Sequence, residues 1–249
     1  MSKSLVSALF GIICYSTCLA QISPPGLGDI NTAGWFAIGL KQELSEKEGV
    51  TSTTYLGLGS SSNPNNFNPF ERNVIYVVNQ EIKHRFSTQW QYSGALSYRW
   101  QNNYIDERPY VLNDPNARQE FRVYGRFSYL NNAFSLTYRP ELRYFFDPDF
   151  SPAKETVQFR SRIRTKIAIN LNSSKSQKLT TTMEAFFSVG RTNNWGVLNY
   201  KEARFCIYYS ISPINRTTFN IGYMNNILGK SFSKTAHYFG LDIIVHNLF

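Results

Sequence analysis

Hydrophobic and polar side chains alternate residue by residue along most of the chain. The clearest case is the segment 157–171, VQFRSRIRTKIAINL, where hydrophobic residues hold one parity and cations hold the other. Successive side chains of a β-strand point to opposite faces of the sheet. The pattern therefore predicts a strand with one apolar face and one basic face, and the basic face carries Arg160, Arg162, Arg164 and Lys166.

The same alternation recurs in other segments, cleanly in the C-terminal two thirds of the chain and less cleanly before that. The clean segments are 90–100, 121–129, 134–146, 179–189, 202–211, 218–224 and 237–249, and the less clean ones are 34–44, 50–58 and 72–86. Period-two alternation over such lengths indicates strands, so we predict about eleven strands and no helix. Pro140 lies inside one of these segments, which predicts a local irregularity there.

The connections between the segments alternate between short turns and longer, irregular loops. The short ones are SEKEG, ST, NN, NSSKSQ and SPINR, and loops such as SSSNPNNFNPFE and NNYIDERPYVLNDPNA stand between them. An up-and-down meander predicts this order, because all turns of one class then lie at the same rim. We therefore predict an all-β fold, an antiparallel up-and-down transmembrane β-barrel of about 10–12 strands with short periplasmic turns and longer external loops.

The alternative architecture is a secreted β-sandwich, in which the apolar faces of two sheets pack against each other. Two features favour the barrel. Large aromatic residues crowd the strand ends on the apolar face, as in the girdles of membrane barrels, and closure leaves no sheet edge unpaired. The predicted aromatic girdle consists of Trp90, Trp100, Phe121, Tyr129, Phe134, Tyr144, Phe146 and Phe249.

The N-terminal residues MSKSLVSALFGIICYSTCLAQ indicate export. A cation at Lys3, a short apolar run and the sequence CLA before Gln21 form the pattern of a secretory signal peptide. The predicted organisation is a signal peptide at residues 1–20, an N-terminal extension at 21–33 and an outer-membrane β-barrel at 34–249.

Composition changes this picture in two respects. The 249 residues carry a formal net charge of +9, which by itself favours a nucleic-acid or anionic partner. An exported chain does not meet cellular nucleic acid, so we predict no nucleic-acid partner. Removal of the signal peptide leaves Cys206 as the single cysteine, which excludes an internal disulfide framework.

The charged face of the strands is the one lead towards a function. Cations gather on three consecutive predicted strands, and acids lie on corresponding faces of these and later strands. Inside a narrow barrel such charges have to be paired and hydrogen-bonded, and arginine suits such networks. The predicted lumen-lining residues are Arg122, Arg126, Arg139, Arg143, Arg160, Arg162, Arg164, Lys166, Glu141, Glu184 and Glu202.

The strand count conflicts with the usual rule for such barrels. Bacterial barrels normally have an even number of strands, because both chain ends face the periplasm. Eleven strands would leave the N-terminus on the outer side. Either residues 21–33 run through the lumen or add a partial strand, or the closed barrel has ten or twelve strands.

Several segments together resemble a known family. They are GWFAIGL, the arginine-punctuated FRVYGRFSYL and YRPELRYFF, then FRSRIRTKI, and the terminal aromatic strand that ends at Phe249. These features look like the outer-membrane β-barrels of Bacteroidota catalogued as domain of unknown function 2490, over nearly the whole mature chain. The resemblance implies a barrel in the cell outer membrane and no particular activity. The terminal phenylalanine also resembles the signal that the barrel insertion machinery reads.

Catalytic residues show no convincing pattern in the sequence. His84 and Ser87 are close together, but the predicted turn that holds Ser87 lies on the periplasmic side, away from the outer leaflet that a lipid hydrolase would need. The acids of the loops FFDPDF and YIDERPY are too few to indicate a calcium site. We therefore predict no enzymatic activity, no cofactor and no metal.

Three functions remain open on the sequence alone. An arginine-lined lumen favours a narrow anion-preferring pore. A closed structural barrel would instead hold the same residues as a lumenal salt-bridge plug, and its external loops would bind a partner. A lipid-acting enzyme is the least supported of the three. The expected partners are outer-membrane lipid, the insertion machinery, and small anionic solutes or an unknown protein.

Overall fold

A computed structural model describes residues 27, 30–132, 134–146, 154–214, 216–229, 232 and 234–248. The predicted signal peptide, most of the predicted N-terminal extension and Phe249 lie outside these residues. No helix in the described ranges is long and apolar enough to cross a membrane.

Eleven strands make up the described fold. They are β1 (Thr32–Ser45), β2 (Val50–Ser61), β3 (Arg72–His84), β4 (Trp90–Tyr104), β5 (Leu112–Leu130), β6 (Phe134–Phe145), β7 (Val157–Asn170), β8 (Gln177–Arg191), β9 (Asn199–Ile214), β10 (Thr217–Leu228) and β11 (Lys234–His246). They form one closed barrel. The predicted all-β barrel of about 10–12 strands is therefore confirmed.

The barrel closes through a parallel pair. Each strand from β1 to β11 is antiparallel to its sequence neighbours, but β1 runs parallel to β11, from Thr32 beside His237 to Lys41 beside His246. An odd number of strands can close only in this way, since the first and last strands then point in the same direction. The described chain reaches closure without a twelfth strand, and β1 begins at Thr32, inside the predicted N-terminal extension.

The topology sorts the connections into two rims. The connections β1–β2, β3–β4, β5–β6, β7–β8 and β9–β10 lie at one rim, called here the short-turn rim. The connections β2–β3, β4–β5, β6–β7, β8–β9 and β10–β11 lie at the other, called here the long-loop rim. The described chain enters β1 at the long-loop rim and leaves β11 at the short-turn rim.

Burial along the strands is inverted relative to a water-soluble protein. Every strand exposes at least one large hydrophobic side chain on its outer face, for example Leu96 on β4 and Ile163 on β7. Polar and charged side chains outnumber hydrophobic ones among the buried residues of the described ranges. The alternation seen in the sequence therefore places apolar side chains on the outside of the barrel and mostly polar side chains on the inside.

One part of the wall departs from this rule. Ala33, Trp35 and Ala37 on β1 point inwards and form an apolar cluster with Met224 and Tyr238 on β10 and β11. The expectation that polar faces line the lumen therefore holds for β4 to β9 but not around the closure.

Close packing at the closure requires glycine on the neighbouring strand. A Cβ atom built on Gly57 of β2 would lie 2.3 Å from the Trp35 ring. The backbone N–H of Leu27 donates a hydrogen bond to the Tyr238 hydroxyl over 3.0 Å, so the chain before β1 also contacts the inside of the barrel.

Proline in a strand has the expected local effect. Pro140 of β6 keeps its partner Ser161 on β7, whereas the β5–β6 ladder is interrupted between Tyr124 and Phe127. Proline has no N–H to donate to the ladder, which accounts for the interruption on one side.

Candidate functional site

The inward faces of β3 to β9 carry a dense set of charged side chains, called here the arginine–glutamate network. All eleven residues predicted to line the lumen point inwards, each buried or half-buried. They are Arg122 and Arg126 on β5, Arg139, Glu141 and Arg143 on β6, Arg160, Arg162, Arg164 and Lys166 on β7, Glu184 on β8 and Glu202 on β9.

Glu120 of β5 contacts three arginines of the network. Its Oε1 accepts a hydrogen bond from Arg122 Nε over 2.9 Å, and its Oε2 accepts one from Arg143 Nη2 on β6. Arg99 Nε on β4 lies 3.4 Å from Oε1. One buried carboxylate therefore ties three neighbouring strands together through charge-assisted contacts.

Glu141 of β6 makes a similar set of contacts, further from the long-loop rim than Glu120. Its Oε2 accepts a hydrogen bond from Arg139, and its Oε1 lies 3.7 Å from Arg122 Nη1 and 4.0 Å from Arg143 Nε. Arg122 and Arg143 therefore bridge two carboxylates each, so the ion pairs form a continuous cluster and not separate couples.

A second cluster crosses β7, β8 and β9. Glu184 accepts a hydrogen bond from Arg162 and lies 3.5 Å from Arg164 Nη1. Glu202 accepts hydrogen bonds from Arg204 Nη2 over 2.7 Å and from Asn226 Nδ2 over 3.0 Å. Arg160 on β7 lies 3.7 Å from the same carboxylate, across the intervening strand.

Aromatic rings fill the spaces between the arginines. The ring of Phe186 has three guanidinium groups over it, at 4.3 Å for Arg204, 5.0 Å for Arg162 and 5.5 Å for Arg160. Arg139 lies 3.5 Å over the ring of Tyr124. Such cation–π contacts gain strength where water is excluded, so the rings help to hold the cations in place.

Several members of the network were missed as site residues by the sequence analysis. Arg99, Arg118 and Arg204 point inwards, as does Glu81, and so do the rings of Tyr124, Phe145 and Phe186. Parity was a sufficient signal for Arg99 and Arg204, because each alternates with outward hydrophobic residues. Parity also places the rings of Tyr124, Phe145 and Phe186 on the inner face, but aromatic residues occupy both faces, so residue type alone did not mark them as lumenal.

The seven described residues of the predicted aromatic girdle lie on the outer face. Trp90, Tyr129 and Phe134 form one row at the short-turn rim, with ring centroids 5.1 Å and 6.3 Å apart. Tyr144 and Phe146 form a second row towards the long-loop rim, 5.5 Å apart. Trp100 and Phe121 lie near this second row, and Phe249 lies outside the described residues.

The histidines have ordinary structural partners. His84 Nδ1 lies 3.1 Å from the Tyr92 hydroxyl, and His237 Nδ1 lies 2.6 Å from the Tyr223 hydroxyl. Ser87 accepts hydrogen bonds from the backbone N–H groups of Gln89 and Trp90. Within the described ranges, no three His, Cys, Asp or Glu side chains are grouped so that they could hold a metal ion.

Comparison with known proteins adds no relative. The chain matches no protein-family profile and no curated protein sequence.

The network predicts that loss of one central acid destabilises the barrel. Glu120 is only 1% exposed and contacts three arginines, so Glu120→Gln removes a buried negative charge that three cations share. Breaking a buried ion pair costs about 3–5 kcal/mol. We expect the urea midpoint of unfolding to fall accordingly, as measured by the mobility of unboiled protein on a gel.

Glu107→Gln serves as the matched control, because Glu107 is an exposed acid at the long-loop rim. Its unfolding midpoint should equal that of the unmodified protein. Equal midpoints for both variants would contradict the pairing role of Glu120.

Proposed function

We propose that the protein is an integral outer-membrane β-barrel whose lumen is closed by the arginine–glutamate network. The observation that carries the proposal is the inverted burial of the strands, with hydrophobic side chains outside and charged ones inside. A soluble barrel would place its hydrophobic side chains in the interior, because burial of apolar surface drives folding in water. Lipid is the surrounding that suits an apolar outer face.

The dimensions of the apolar belt support the same proposal. Trp90 and Trp100 lie ten positions apart on β4, one near each rim. At about 3.3 Å per residue and a tilt of ~40°, they are separated along the barrel axis by about 25 Å. The apolar band of membrane barrels has this height, with aromatic rings at both of its edges.

Contacts between strands that are not neighbours in the wall support a closed interior. Tyr124 on β5 donates a hydrogen bond to Asn79 Oδ1 on β3 over 2.9 Å, and Arg126 lies 3.0 Å from Glu81. Tyr55 on β2 is near enough to Arg126 and Arg139 to interact electrostatically with both. Barrels of about eight strands are filled by their side chains and those of 16–18 strands are open, so long side chains can close eleven strands.

The long-loop rim offers a surface for a partner in this proposal. Phe67, Phe70 and Val197 are among the most exposed hydrophobic side chains of the described chain, and all three lie in loops at that rim. If the short turns face the periplasm, these loops face outwards from the cell. The export signal at residues 1–20, the insertion machinery as a partner and the resemblance to the Bacteroidota family belong to the same proposal.

The second candidate is a narrow anion-preferring pore. It is favoured by the charge excess inside the barrel, where arginines outnumber acids on the inward faces of β4 to β9. A continuous water-filled path would be needed, and the network and its aromatic rings occupy the space through which it would run.

Single-channel recording separates the two candidates. The closed lumen predicts that folded protein in a planar bilayer gives no steady current, because paired side chains obstruct the path. A steady, anion-selective current that falls in an Arg162→Ala/Arg164→Ala variant would reject the closed lumen and support the pore.

A charge placed on the outer face tests which solvent that face meets. Leu96 lies in the middle of β4 and is 52% exposed. If it faces lipid, Leu96→Arg should cost about 2–4 kcal/mol of folding stability. Unfolding of the protein in lipid vesicles measures this cost.

The same substitution near a rim is the control. Leu44 is 57% exposed near the short-turn end of β1, where Leu44→Arg should cost about 0–1 kcal/mol in a membrane. In a water-soluble barrel both substitutions would be neutral, so equal stability of the two variants would reject the membrane proposal.

A further inference from the structure

A cavity of about 50 Å³ lies inside the barrel next to the short-turn rim. Its wall comes from β2 to β7, and its lining includes Lys83 at the end of β3, Ser128 near the end of β5 and Ser135 at the start of β6. The long-loop half of the lumen holds most of the arginine–glutamate network, so the mouth of the cavity is at the short-turn rim. Lys83 and Lys166 are half-buried, which shows that solvent reaches this mouth.

Positive charge dominates the lining. Four cations line the cavity, namely Lys83, Arg126, Arg164 and Lys166, against one acid, Glu81. Glu81 is also shared, because its carboxylate lies 3.0 Å from Arg126 Nη1 and accepts a hydrogen bond from Ser93 Oγ over 2.6 Å. Glu184 lies 3.5 Å from Arg164 but already accepts a hydrogen bond from Arg162, so the cations still exceed the acids.

Hydroxyl groups complete the set of hydrogen-bond donors. Ser128, Ser135 and Thr137 line the same cavity, and the Ser128 and Thr137 hydroxyl oxygens lie 3.0 Å apart. Ammonium, guanidinium and hydroxyl groups that converge on one small space form the donor set that oxyanions bind. Two of the thirteen lining residues, Tyr92 and Leu130, are hydrophobic.

The size of the cavity limits the ligand to a small group. A water molecule needs ~10–15 Å³ of such volume, so the cavity has room for roughly three to five water molecules. A tetrahedral oxyanion has five heavy atoms, a size comparable to that group of water molecules. We propose that this cavity is a binding site for a tetrahedral oxyanion, either free phosphate or sulfate or the phosphate group of a small soluble molecule.

The site goes beyond the function proposed above. The oxyanion site requires the barrel fold and the cavity. It requires neither lipid outside the barrel nor a partner at the long-loop rim. Failure of the membrane proposal would therefore leave it intact, and failure of anion binding would leave the membrane proposal intact.

Isothermal titration of the folded protein at low ionic strength tests the site. Inorganic phosphate and sulfate should each bind saturably at one site per chain, and chloride should bind far more weakly. Lys83→Gln/Lys166→Gln should weaken phosphate binding by about tenfold or more, because it removes charge-assisted hydrogen bonds to the anion. The gel mobility of unboiled protein checks that the variant is folded before the titration.

Lys47→Gln is the matched control. Lys47 is an exposed cation in the turn between β1 and β2, at the same rim but outside the cavity. Its phosphate affinity should stay within about twofold of the unmodified protein, as expected for a screened surface charge. The single variants Lys83→Gln and Lys166→Gln are measured alongside, and each should fall between the unmodified protein and the double variant.

Titration with glycerol phosphate distinguishes the two sources of the oxyanion. Tighter binding of glycerol phosphate than of inorganic phosphate would assign the site to an organic phosphate, and equal or weaker binding would assign it to the free ion. The proposal is overturned if the folded protein binds neither phosphate nor sulfate saturably. It is equally overturned if the Lys83 and Lys166 variants bind phosphate as tightly as Lys47→Gln does.

Discussion

Ion pairing between buried arginines and glutamates is the interaction on which the rest of this structure depends. An unpaired charge in such an interior would cost several kcal/mol, so a basic inner face is tolerable only where acids lie against it. Glu120 pairs with arginines on both neighbouring strands, and Glu202 reaches Arg160 across β8. With the charged face paired inside, the opposite face of every strand carries exposed hydrophobic side chains within the described ranges.

The parallel junction of β1 and β11 is the second constraint. The inner face there is apolar, with Trp35 seated against Gly57, so the closure depends on side-chain packing and not on ion pairs. Different interactions therefore stabilise the two parts of the wall. Charges dominate where long side chains must fill the lumen, and small residues with a few large rings dominate where the wall closes on itself.

Much of this fold follows from the sequence, for identifiable reasons. Period-two alternation was sufficient to place Arg122, Arg162 and their neighbours on one inner face, because parity alone decides which face a strand residue occupies. The identity of the ion pairs could not be predicted, since Arg160 meets Glu202 only through the register of two intervening ladders. The interior position of Trp35 was also out of reach, because both faces of β1 are apolar near that residue.

The central claim is that lipid covers the outer face, and fluorescence quenching by brominated acyl chains tests it most directly. The four tryptophans permit single-tryptophan variants, one that keeps Trp100 on the outer face and one that keeps Trp35 inside the barrel. In vesicles of lipid brominated near the glycerol end, we expect strong quenching of Trp100 and little quenching of Trp35. Equal quenching of the two, or a folded protein that stays in the aqueous phase, would contradict the account.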